Sequence, residues 1–86
     1  PYNDIGAYLI ELGRLDEAIP WLEKAIASSR YCCYFYAHTN LARVYLHKHM
    51  PEKARKALHA ALRVNPEYAP ARELLRHLES GADYFA

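Results

Sequence analysis

Apolar residues recur every three or four positions along almost the whole chain, and nowhere do they alternate over a sustained stretch. Ile5, Tyr8, Leu9 and Leu12 form one such set, and Leu15, Ala18, Ile19, Leu22, Ala25 and Ile26 a second. Ala37, Leu41, Ala42, Val44 and Tyr45 continue the rhythm, followed by Ala54, Ala57, Leu58, Ala61 and Leu62, then Ala71, Leu74, Leu75 and Leu78. That period lays each set along one face of a helix. The pattern predicts five helices, over about 3–12, 16–30, 34–47, 51–64 and 68–80, and no strands.

Punctuation falls between the sets. Gly13 can close the first helix in the left-handed region, and Asp16 is a good N-cap for the second. His49 holds the corresponding joint later in the chain, where histidine is among the enriched non-glycine residues. Pro51 suits the first turn of the fourth helix, where a missing N–H leaves nothing unpaired. Asn65 is driven out of the α region by Pro66, which stops that helix. Pro20 lies about a turn inside the second helix and is expected to shift its start or tighten its first turn.

The chain also repeats itself. Shifting it by 36 residues places Ile5-Gly6 on Leu41-Ala42, Leu9 on Tyr45, Gly13 on His49, Ala18 on Ala54, Leu22 on Leu58 and Ala25 on Ala61. A further shift of 34 places Leu41 on Leu75. With Gly13-Arg14-Leu15-Asp16-Glu17-Ala18-Ile19, Leu22 and Ala25, then Leu41-Ala42, Tyr45, Ala54, Leu58, Ala61 and Asn65-Pro66, the chain resembles the tetratricopeptide repeat. The likeness runs from Tyr2 to about Ser80. Small residues (Gly6, Ala18, Ala25, Ala42, Ala54, Ala61) would let paired helices approach, and Leu9, Leu22, Tyr45 and Leu58 would fill the space between them.

The fold this resemblance implies is an all-α, antiparallel helix-hairpin solenoid of about five helices. Its domain covers 1–80: a first unit over about 1–34, a second over about 35–68 and a capping helix over about 69–80, with a tail at 81–86. The third unit has Arg76 and Glu79 where the pattern asks for a small and an aromatic residue, as a cap with a wet outer face requires. The first unit departs as well, with Arg30 in place of the closing proline and two extra residues within 29–36.

Composition narrows the functional classes. With 86 residues, 52% of them hydrophobic, the chain suits one small globular domain and not a disordered segment. A net charge of +1 gives no argument for nucleic acid. No apolar run is long enough to span a membrane. The chain shows no signal peptide, and its start at Pro1 reads as a piece of a longer polypeptide. Cys32 and Cys33 are adjacent, a poor geometry for mutual pairing, so a reducing compartment such as the cytoplasm is expected.

Candidate chemistry is sparse. His38, His47, His49, His59 and His77 include no pair spaced to share a helix face as metal ligands, so no metal or cofactor is expected. Neither cysteine has a marked base or oxyanion hole, which argues against an enzyme. The segment Tyr31-Cys32-Cys33-Tyr34-Phe35-Tyr36 reads as an apolar joint between units, with an aromatic docking knob or a thiol sensor as sharper alternatives. Lys53, Arg55, Lys56 and Arg63 read as a solvated convex face.

The resemblance implies a non-catalytic protein–protein interaction module that holds a partner's peptide or helix in a concave groove. The alternative is self-assembly, or a scaffold segment within a larger repeat protein. Residue by residue, the groove would be lined by Asn3, Asp4, Ala7 and Ile10, by Tyr36, Thr39, Asn40, Arg43 and His47, and by Glu73 and His77. One sub-class clamps a terminal carboxylate with a lysine, two asparagines, a lysine and an arginine at set groove positions. Only Asn40 matches that set here, with Asn3, Ala7, Pro70 and Leu74 at its other positions, so that clamp is not supported.

Overall fold

The computed structural model describes residues 2–28 and 34–81. Five helices lie among the described residues: α1 (Tyr2–Glu11), α2 (Leu15–Ser28), α3 (Tyr34–His47), α4 (Pro51–Val64) and α5 (Ala69–Glu79). These match the elements predicted from the apolar period, and no strand occurs among the described residues. Arg30, Tyr31, Cys32 and Cys33 lie outside the described residues, and so do the expectations attached to them.

Two helix pairs are built by the same local device. The α1–α2 turn and the α3–α4 turn are each three residues long. Gly13 has φ 75° and His49 has φ 58°, as their matched positions in the repeat predict. Around Gly13, the Gly13 N–H donates to the Ile10 carbonyl (2.9 Å) and the Arg14 N–H to the Leu9 carbonyl (2.9 Å). Around His49, the His49 N–H donates to the Leu46 carbonyl (3.0 Å) and the Met50 N–H to the Tyr45 carbonyl (2.8 Å). Each turn is therefore a Schellman motif that satisfies the last carbonyls of its helix while reversing the chain.

Helix starts hold one correction. The Ala18 N–H donates to the Arg14 carbonyl, so Arg14, not Asp16, occupies the cap position of α2. The turn at Gly13 already delivers the chain in helical register at Leu15. Asp16 is thereby left inside the first turn, where it pairs with Lys48 at the end of α3. Pro51 takes the first turn of α4 as expected, and Asn65 ends it with extended backbone (φ −138°, ψ 90°). Pro20 sits inside α2 on its exposed side, where its missing N–H removes the usual donor to the Asp16 carbonyl.

Packing follows the alternation of small and large residues. Ala18, Leu22, Ala42, Val44, Ala54, Leu58, Ala61 and Ala71 are fully buried. Within each pair the helices lie against each other, α2 packs on α3, α5 closes on α4, and α1 also touches α3. Helix α3 is thus the centre of the molecule, in contact with α1, α2 and α4. No described helix is long and apolar enough to cross a membrane.

Candidate functional site

Because α3 is packed on several sides, only a narrow arc of it stays open. Tyr36, Asn40, Arg43 and His47 follow one another at four, three and four residues and fall within an arc of roughly 60° at about 100° per residue. Tyr36 is 43% exposed, His47 is exposed, and Asn40 and Arg43 are half-buried. These four residues share one side of α3. Thr39 does not belong to it. It is buried, and its hydroxyl donates to the Phe35 carbonyl one turn back (2.6 Å). The arc is narrower than the apolar pattern implied, so a residue at its edge turns inward.

On α1, Asn3 and Ala7 are half-buried and Asp4 is exposed, while Ile10 is buried in the core. Ile10 therefore offers no groove surface. Glu11 continues the Asp4–Ala7 row by one turn and is exposed. On α5, Glu73 and His77 are exposed.

Three side chains tie the two helix pairs together across this face. The Asn40 amide donates to the Asn3 side-chain carbonyl oxygen on α1 (3.1 Å), and Arg43 Nη1 donates to the Asn40 side-chain carbonyl oxygen (3.1 Å). Each amide thereby has a fixed orientation, and the guanidinium is held by the second of them. Arg14, Arg55, Arg72 and Arg76 each pair with a glutamate. Among the described residues no carboxylate pairs with Arg43.

An aromatic cluster adjoins the arginine. Phe35 and Tyr36 have ring centroids 4.3 Å apart, Phe35 and Tyr68 4.8 Å, and Tyr36 and Tyr68 5.4 Å, the last two edge to face. Burial raises the Tyr68 phenol above its ordinary pKa, with Tyr36 adding to the rise and the Arg43 charge opposing it. His47, a turn beyond Arg43 and only slightly covered, is lowered from the ordinary histidine value first by that partial desolvation and then by the charges of Arg43 and His49. The site is thus a half-buried cation beside an aromatic wall.

Spacing along the chain does not place Tyr68 or Phe35 in the groove. Tyr68 is the N-cap residue of α5, and only the packing of α5 on α4 brings its ring to α3. Among the described residues no group of three or more His, Cys, Asp or Glu could hold a metal. The basic residues Lys53, Lys56 and Arg63 are exposed on α4, with the Lys53 ammonium over the Tyr45 ring at 5.7 Å.

The family model for the tetratricopeptide repeat matches residues 9–78, and the chain belongs to that family. Domains of this family are in general protein-interaction modules and typically non-catalytic. No curated protein and no solved structure matches the chain.

Proposed function

We propose that this domain is a non-catalytic module that holds a segment of a partner protein along the face formed by α1, α3 and α5, with an anionic group of that segment on Arg43. One observation carries the reading: Arg43 is half-buried and fixed by Asn40, yet lacks a carboxylate partner among the described residues. A planar fork of donors held in place suits a carboxylate, which it can meet with two parallel hydrogen bonds. The exposed edge of Tyr36 and the neighbouring Tyr68 offer a platform for a ring or an aliphatic side chain on the same segment. Asn3, Ala7, Asn40, His47 and His77 line the remainder of the proposed groove, and Thr39 supports it from below.

The test is a peptide library panned against the domain, followed by titration of the recovered peptide into Arg43→Ala and Lys56→Ala variants. Losing a hydrogen-bonded charge at such a site costs about 2–5 kcal/mol, whereas an exposed convex lysine contributes far less. Equal losses, or a larger one at Lys56, would move the binding surface to α4.

A further inference from the structure

The arginines of this domain are held in two ways. Arg14, Arg55, Arg72 and Arg76 each meet a glutamate, which offsets the charge it restrains. Arg43 is restrained by a neutral amide, that of Asn40, and Asn40 is restrained in turn by Asn3 on another helix. A guanidinium donates and never accepts, so Asn40 must turn its carbonyl oxygen towards Arg43. Its NH2 is then left facing α1, where only an acceptor can meet it, and the Asn3 oxygen is that acceptor (3.1 Å). All three side chains are half-buried. The chain of bonds thus has one direction, dictated by the arginine and closed by Asn3.

Two observations separate this link from ordinary packing. Arg43 spends Nη1 on Asn40 and makes no other hydrogen bond among the described residues. The Nε–H and an Nη2 hydrogen, which lie side by side along one edge of a guanidinium, are left for a second acceptor. That edge takes a carboxylate through two parallel bonds. The internal repeat supplies the other observation. A shift of 36 places Asp4 and Ala7 on Asn40 and Arg43, and a further 34 places these on Leu74 and His77. Asn3 falls on Thr39, whose hydroxyl bonds within its own helix. The amide pair and its arginine are therefore no part of the packing that the units share.

We propose that Asn3 is a positioning residue for Arg43, acting through Asn40 to hold the guanidinium with its Nε–Nη2 edge free for a carboxylate. The inference rests on the reading of Arg43 as an anion seat and adds what orients it. Asn3 belongs to the first hairpin and Arg43 to the second, so the seat is assembled only where α1 and α3 meet. A neutral amide suits the task. A carboxylate at position 40 would hold the arginine as well but would cancel the charge that the seat offers. An apolar residue at position 3 would leave Asn40 with one restraint in place of two.

Nitrogen NMR of the Arg43 guanidinium at low temperature, with phenylacetate as the probe carboxylate, tests this. A guanidinium held at Nη1 rotates slowly, so its two η nitrogens should give separate signals in the native domain, and phenylacetate should shift the Nε–H resonance. Asn3→Leu, which keeps the volume, should merge the η signals and weaken phenylacetate roughly two- to tenfold, the weight of one hydrogen bond. Asn3→Ala should act alike and serves if the leucine variant does not fold. Asn3→Asp restores the acceptor and should bring the separate signals back. Asn40→Asp should keep them apart while abolishing the phenylacetate response, because it holds the arginine and neutralises it. Tyr8→Ala, on the exposed side of α1, is the control and should leave the η signals unchanged. Signals that stay separate in both Asn3→Leu and Asn3→Ala would overturn the proposal. So would an Asn3→Asp variant that fails to recover them, which would give Asn3 a role in packing only. A native domain whose η signals respond to the Asn3 variants but not to phenylacetate supports the positioning role and counts against the anion seat.

Discussion

Gly6 of α1 lies so close to Leu22 of α2 that a Cβ on the glycine would stand 2.5 Å from the leucine Cδ2 and 2.6 Å from its Cγ. The matched pair in the second hairpin is Ala42 and Leu58, both fully buried, where a methyl group is accommodated. The two hairpins therefore share one packing scheme at different spacings, with α1 and α2 the tighter pair at this crossing. Gly6→Ala should destabilise the domain even though alanine is the better helix former by about 1 kcal/mol. Leu22 is fully buried and has nowhere to move, so overpacking at about 1–3 kcal/mol outweighs the helical gain. In a Leu22→Ala background the same change should become stabilising. A urea titration of all four proteins gives the coupling, and simple additivity would show that the two residues do not collide.

Ala54 and Ala61 occupy the corresponding close-approach positions on α4, both fully buried. Leucine at either position should lower stability by about 1–3 kcal/mol, because α3 and α5 flank this helix and leave no slack for the added volume. Lys56→Leu on the exposed side of the same helix is the control. Comparable denaturant midpoints for the two kinds of variant would contradict this packing.

Gly13 and His49 offer a reciprocal experiment. Both have positive φ at the same node of a Schellman turn. A Cβ at Gly13 would meet nothing within 4 Å, so a substitution there carries a backbone penalty and no clash. Gly13→His should therefore cost about 1 kcal/mol, the scale of the left-handed penalty for a residue with a side chain. His49→Gly relieves that penalty but loosens the unfolded chain by about 0.4–1 kcal/mol, so its net effect should be neutral to slightly stabilising. Thermal melts of the two variants should move in different directions or differ clearly in size. Equal destabilisation would mean that the His49 side chain has a packing role its exposed position does not suggest.

The contrast between these residues and the groove explains what the chain discloses by itself. Helix number, the two matched turns and the small-against-large core are local or periodic properties, and Gly13, His49, Pro51 and Asn65-Pro66 mark them directly in the chain. Asp16 misleads because its type favours an N-cap, whereas the preceding turn has already set the register from Leu15. Thr39 misleads because helical spacing alone cannot tell how wide an arc the neighbouring helices leave open. Tyr68 reaches the site only through the placement of α5, a relationship with no signature in spacing. The link from Asn3 to Asn40 crosses between two helices, so residue type hints at polarity there but not at the bond.

Acid should weaken the fold in a window set by the histidines of α3. Burial holds His38 below its ordinary pKa, and the nearby Arg63 charge pushes the same way. His47 is lowered too, for the same first reason, with Arg43 and His49 contributing. In the unfolded chain both titrate near 6.5, so between that value and their lower folded values the unfolded state binds more protons. Stability then rises with pH across this window: it is fully present once the unfolded histidines are neutral, and it falls as pH drops below the unfolded value near 6.5. The exposed Glu17 carboxylate is also lowered, chiefly by its hydrogen bond from Arg14, but it loses its contribution only below the ordinary glutamate range near 4.3. The two regions can therefore be separated. His38→Gln should flatten the profile just below the unfolded histidine value near 6.5 while leaving the acid limb of the carboxylates. His47→Gln should have a smaller effect because that side chain is exposed. Urea midpoints taken at half-unit pH steps provide the measurement. A profile in which His38→Gln keeps the full slope would show that protons taken up elsewhere control the acid sensitivity of the domain.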